Sequence, residues 1–233
     1  MMFLEFASKG VWFVIVAGHM EHLGFNGRQI SMVYACGAIG ALLSPLLAGW
    51  LADRVMAAQK FAAVCHGLAA VALFLAWRQT SFIPFFLSIL AHAIISAPTI
   101  VTANAISFHH LLDSEKFGSI RVWGTVGWMV TNWVMAAYLW QWARWDPEQF
   151  RLGDGLLAGA CCALLASVYS LTLPPTPPAP KQEGEKTPLG FLKVLGSGLS
   201  RNALVLLCIS FMGGVILPFF YNFTFLFLTE AQG

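Results

Sequence analysis

The chain has 233 residues, of which 58% are hydrophobic and only 10% are charged, against roughly 25% charged in a soluble domain. That composition excludes a soluble globular protein and predicts an all-α integral membrane protein. The net charge of +2 sits in short loops and offers no footing for nucleic acid.

The five cysteines, Cys36, Cys65, Cys161, Cys162 and Cys208, all lie inside apolar runs. They show neither metal-ligand spacing nor a disulfide framework, so they read as helix packing. The chain has no phosphate-cradling glycine loop, no zinc-protease motif and no Gly-x-Ser-x-Gly elbow. Enzyme chemistry, a metal and a cofactor are therefore not expected.

A membrane-crossing helix needs about 20 mostly apolar residues. Runs of that kind occupy 2–23, 30–52, 59–77, 82–108, 120–142, 155–173 and 203–228. The first lacks a basic leader and a small-x-small cleavage site, so it reads as a retained helix rather than a signal peptide. Within it Glu5 and Lys9 lie four residues apart on one face, with Trp12 and His19 close to that stripe. Two readings stand side by side. Either the pair snorkels into headgroups near a helix end, or it lines a cavity where Glu5 carries a proton.

Gly37 and Gly40 in the second run, Gly124 and Gly127 in the fifth, and Gly155 and Gly159 in the sixth permit close helix approach. His66, in the third run, reads as a satisfied core histidine. The fourth run carries a polar arc of His92, Ser96, Thr99, Asn104 and Ser107, which should turn away from lipid. Interhelical hydrogen bonding accounts for it slightly better than solute contact does. His109 and His110 are adjacent on a helix and should point apart, which argues against a shared metal.

The fifth run opens on Ile120-Arg-Val-Trp-Gly-Thr-Val-Gly-Trp128. A guanidinium at the edge of the hydrocarbon is costly and marks a pathway or site more often than packing. Thr125 and Trp128 follow Arg121 at i+4 and i+7, on one helix face. A cation, a hydroxyl and an aromatic plane on one stripe can hold a small polar ring.

Residues 174–202 begin with a proline-dense stretch that forbids helix and reads as a cytoplasmic linker. They divide a six-helix transmembrane bundle over 1–173 from a further helix over 203–233. Pro218 suggests a kink in that last helix. Lys and Arg are richer in the loops after the second, fourth and sixth runs, which places the N-terminus in the cytoplasm.

Gly49-Trp-Leu-Ala-Asp53-Arg54 resembles the loop signature of the major facilitator superfamily, with Gly49, Asp53 and Arg54 as its conformational elements. Met56, Ala57 and Ala58 stand where that signature usually has glycine and basic residues. More specifically, the chain resembles the nucleoside:proton symporter family. The resemblance is carried by Met2-Phe-Leu-Glu-Phe, Ile30-Ser-Met-Val-Tyr, Ser44-Pro45, Cys65-His66, Asn104-Ala-Ile-Ser107, the Arg121 motif and Leu171-Thr-Leu-Pro174.

The resemblance implies a transporter of a bacterial inner membrane, built from two bundles that rock about a central site. It implies that Arg121, Thr125 and Trp128 line a nucleoside site. Where the family's seventh helix offers Gln and Asn, this chain has Leu217 and Phe220, leaving Tyr221 and Asn222 as neighbouring candidates. Glu5 and Asn104 are candidates for proton coupling or cavity polarity. The implied partners are a nucleoside, protons and the lipid bilayer. The resemblance also implies about five further helices after Gly233, so the chain reads as part of a longer symporter.

The alternatives are a symporter for another polar solute such as a sugar, or a non-transporting half-transporter that acts as a membrane scaffold. An intramembrane enzyme is disfavoured, because Glu5, His19, His66 and His92 are scattered along the chain.

Overall fold

A computed structural model of the chain describes residues 1–47, 56–146, 151–177 and 200–232. Gly49, Asp53 and Arg54 of the loop signature lie outside the described residues. Among the described residues every regular element is helical. The elements are α1 (Met2–Phe13), α2 (Val16–His22), α3 (Gly27–Leu47), α4 (Ala58–Trp77), α5 (Phe82–His110), α6 (Phe117–Trp145), α7 (Asp154–Leu171) and α8 (Arg201–Gln232). The chain divides into two compact units, Met1–Pro178 and Ala179–Gly233.

Four helical stretches among the described residues are long and apolar enough to cross a membrane: Met2–His22, Ala58–Trp77, Phe82–His110 and Asp154–Leu171. Helix α6 has the length, at 29 residues. Arg121, Asn132 and its glycines and tryptophans dilute its apolar character.

The first predicted run is divided at Val14 and Ile15 into α1 and α2. The Phe13 carbonyl, at the break, accepts a hydrogen bond from the Tyr34 hydroxyl at 3.3 Å. A side chain drawn into the i→i−4 ladder is a recognised cause of a helix break. The chain then turns at Gly24, whose φ of 80° suits a residue without Cβ. Asn26 and Gln29 bond reciprocally, side chain to backbone, at 2.9 and 3.0 Å and start α3 as a capping box.

Within the first unit the broad helix interfaces run α3–α5–α4–α7–α1–α6. Helices α3 and α6 thus end an arc, while α1 is packed on both sides. Two glycines set the close crossings. A Cβ on Gly127 of α6 would strike the Phe3 carbonyl of α1, and one on Gly40 of α3 would strike the Ala93 carbonyl of α5. Gly37 departs from the expected packing role: nothing lies within 4 Å of a Cβ built there, and it borders a cavity instead.

The proline-dense segment is anchored where it begins. Thr176 is buried; its N–H donates to Gln59 Oε1 at 2.9 Å, and its carbonyl accepts from the Ala58 N–H at 3.0 Å. The His110 ring lies 2.9 Å from its hydroxyl, tying the same point to the end of α5.

Helix α8 forms the described part of the second unit and continues as helix through Pro218. Tyr221 and Asn222 lie on it.

Candidate functional site

Of the two readings of Glu5 and Lys9, snorkelling into headgroups does not fit the placement of Glu5. Its side chain is 0% exposed. The cause is the position of α1, which packs against α6 on one side and α7 on the other. A carboxylate removed from water costs several kcal/mol unless it is paired and hydrogen-bonded. Glu5 Oε1 is hydrogen-bonded, while Oε2 is buried, makes no hydrogen bond of good geometry among the described residues and has only a histidine ring beside it. Lys9 Nζ meets Oε1, and the Thr99 hydroxyl lies 2.7 Å from the same oxygen. His66 Nε2 stands 3.0 Å from Oε2, within ion-pair reach.

Three helices therefore converge on one carboxylate: α1 supplies Glu5 and Lys9, α4 supplies His66, and α5 supplies Thr99. Lys9 Nζ also lies 3.5 Å from the Thr99 hydroxyl, which closes the cluster. That hydroxyl reaches the Ser96 carbonyl at 2.6 Å as well, so its single proton chooses between Ser96 and Glu5. His66, expected as a satisfied core histidine, is buried and faces an acid.

Lys9 connects this cluster to a cavity of about 490 Å³. That volume falls in the roughly 300–1,000 Å³ range of small-molecule sites. The cavity lies between α1, α2, α3, α5 and α6, toward the two ends of the helix arc. Its walls include Trp12, Phe13, Tyr34 and Trp128, with Gly37 leaving room on α3. Lys9 is the only Lys or Arg among the described lining residues, and its side chain is 18% exposed. His92 and Ser96 line the cavity too. His92 Nδ1 lies 3.2 Å from the Ala69 carbonyl of α4, an interhelical contact, while its ring meets Trp12 edge-on at 5.5 Å.

The three residues of the α6 stripe fare differently. Helix α6 begins at Phe117, so Arg121 stands a turn inside it rather than at its opening. Its guanidinium lies 4.2 Å from the centre of the Phe6 ring. Thr125 is exposed on the described unit, and only Trp128 reaches the cavity, beside Phe13 at 6.0 Å. Asn104 is half-buried and away from the cavity lining, with its Oδ1 buried and unbonded. The His109 and His110 rings do not point apart but meet edge-on at 4.9 Å. No group of His, Cys, Asp and Glu among the described residues could hold a metal.

Residues 1–233 match the family model for the nucleoside H+ symporter. The chain belongs to that family. It is 37% identical over 99% of its length to the Escherichia coli protein named "Putative nucleoside transporter YegT", covering 54% of it. It is 31% identical to the nucleoside permease NupG of Escherichia coli, over 78% of this chain and 43% of that protein. A crystal structure of NupG (D323A mutant) superposes with a TM-score of 0.85 at 29% identity, covering 99% of this chain and 57% of that one. The chain thus spans about half the length of the relatives it matches.

Sequence reasoning missed Lys9, His66 and Thr99 as one site. Glu5 and Lys9 were visible as an i, i+4 pair, and Thr99 as part of a polar arc. Nothing in their spacing joins them to His66.

Proposed function

We propose that this chain forms the solute- and proton-handling N-terminal part of a nucleoside:proton symporter of the bacterial inner membrane. Its N-terminus lies in the cytoplasm. A six-helix bundle over 1–173 rocks against a second bundle by alternating access, with 174–202 as the linker and 203–233 as the first helix beyond it. The observation that carries this reading is membership of the nucleoside H+ symporter family along the whole chain. The cavity supports it with a suitable volume and aromatic walls.

In this reading Trp128 stacks on the base, while Arg121 and Thr125 on the same stripe meet the solute from the rim. Tyr221 and Asn222 contribute from the helix beyond the linker. Glu5 exchanges the coupled proton, and Asn104 supplies polarity further along α5. Gly49, Asp53 and Arg54 form the loop that changes conformation as the bundles rock.

The test is uptake of radiolabelled uridine, adenosine and xanthosine by membrane vesicles containing the protein expressed from its natural locus. An outside-acid pH gradient should accelerate uptake, and a protonophore should abolish the acceleration. Uptake indifferent to the gradient would remove the proton. Competition by glucose and not by nucleosides would move the assignment to a sugar.

A further inference from the structure

We infer that Lys9 is a specificity residue that recognises a ring carbonyl of the solute, so that the cavity favours oxo-bases over amino-bases. This rests on the nucleoside reading above.

The argument starts from the placement of the ammonium group. Glu5 is fully buried and Thr99 is 0% exposed, so the groups that hold Lys9 are themselves fixed. Lys9 alone of the cluster borders the 490 Å³ cavity. An ammonium has three N–H donors and no acceptor. Glu5 Oε1 takes one, and the Thr99 hydroxyl, at 3.5 Å, takes a second weakly. The donor capacity that remains can be used toward the cavity.

The walls define what can present an acceptor there. Trp12, Phe13, Tyr34 and Trp128 are all in the lining, and the Phe13 ring lies 5.8, 5.5 and 6.0 Å from those of Trp12, Tyr34 and Trp128. Aromatic surfaces of this kind accept a flat ring. Lysine within such walls selects the ring edge that carries lone pairs. A carbonyl-bearing base such as that of uridine or xanthosine satisfies it. The amino group of adenosine places donor hydrogens against an ammonium, so adenosine meets Lys9 only by turning a ring nitrogen toward it, whereas uridine offers two carbonyl oxygens.

Glu5, Thr99 and His66 act as positioning residues. Glu5 keeps the ammonium at the cavity wall, the Thr99 hydroxyl bonds the same carboxylate oxygen at 2.7 Å, and His66 stands 3.0 Å from the other. A hydrogen bond between a charged donor and a neutral acceptor contributes about 1.5–3 kcal/mol, which is roughly tenfold or more in affinity.

The experiment measures uptake of radiolabelled uridine and adenosine in vesicles, for wild type, Lys9→Met, and Lys9→Met combined with Glu5→Gln. The double variant removes both charges, so it does not leave a buried carboxylate unpaired. Wild type should prefer uridine in kcat/KM. Lys9→Met should lose about tenfold or more toward uridine through KM and stay near wild type for adenosine; the double variant, which also removes the proposed proton carrier, should take up both solutes more slowly and still show no preference for uridine. Three results overturn the inference: equal loss for both solutes in Lys9→Met, no loss for either in Lys9→Met, or recovery of the uridine preference in the double variant, which would make Lys9 only a partner for Glu5. If wild type takes up neither nucleoside, the nucleoside reading fails and this inference falls with it, a result distinct from the other three.

Discussion

Two regions of the first unit carry charge into apolar helix, and they are built in opposite ways. The cluster on α1, α4 and α5 closes upon itself: Glu5 is bonded by Lys9 and Thr99, faced by His66 and hidden from solvent. The stripe on α6 stays open. Thr125 is exposed, and the Arg121 guanidinium rests on the Phe6 ring rather than on a carboxylate. The difference follows from the order of the helices. Helix α1 has neighbours on two sides, whereas α6 ends the arc and keeps a face unpaired within the unit. A charge on a central helix must find partners inside the unit, while a charge on an end helix can serve what lies outside it.

The sharpest way to break this contrast is to unpair the closed cluster. Glu5→Ala leaves the Lys9 ammonium without its counter-charge in a largely buried setting. Breaking such a pair costs about 3–5 kcal/mol. The midpoint of thermal unfolding in detergent should therefore fall strongly. Much of the loss should return when Lys9→Met is added, because the second change removes the orphaned charge. If Glu5 merely snorkelled to headgroups, its removal would change stability by about 1 kcal/mol at most.

The seam between the two regions is next in size. Gly127→Ala on α6 pushes a methyl group into the Phe3 backbone carbonyl of α1. Helix propensity alone favours alanine by about 1 kcal/mol. Overpacking against backbone costs about 1–3 kcal/mol, so the net effect should be destabilising. Gly118→Ala, on the same helix, has nothing within 4 Å of the added carbon and should be neutral or stabilising. Thermal midpoints of the two variants, measured together, separate steric contact from propensity. A shared sign would place the close α1–α6 crossing elsewhere.

The sequence shows one of these regions more readily than the other. Arg121, Thr125 and Trp128 are conspicuous because they fall at i, i+4 and i+7 in one run, and a helix converts that spacing directly into a face. The helices themselves are legible for the same reason: long apolar runs leave the backbone no alternative in lipid. The closed cluster is hidden because it joins α1, α4 and α5, and no local period encodes which helices touch. The break at Val14 and Ile15 is hidden too. Its signal is not a proline or glycine at that point but Tyr34, a residue of α3 whose hydroxyl donates to the Phe13 carbonyl. What a single helix dictates is readable in the sequence, and what a crossing dictates is not.

The smallest stability effect is expected at the residue that stands out most. Arg121→Ala removes a cation–π contact at a half-buried position, which contributes about 0.5–1 kcal/mol. No buried carboxylate is left behind, since the guanidinium is held by an aromatic face. Folding, membrane insertion and thermal midpoint should therefore remain close to wild type. Nucleoside uptake should be lost, because a cation placed in the membrane without an acidic partner among the described residues is held available for a solute or for a carboxylate on another part of the transporter. Uptake at the wild-type rate would make Arg121 a cover for Phe6. Loss of uptake with an unchanged midpoint would establish the open region as the functional one, and a collapse in stability would make α6 as closed as α1.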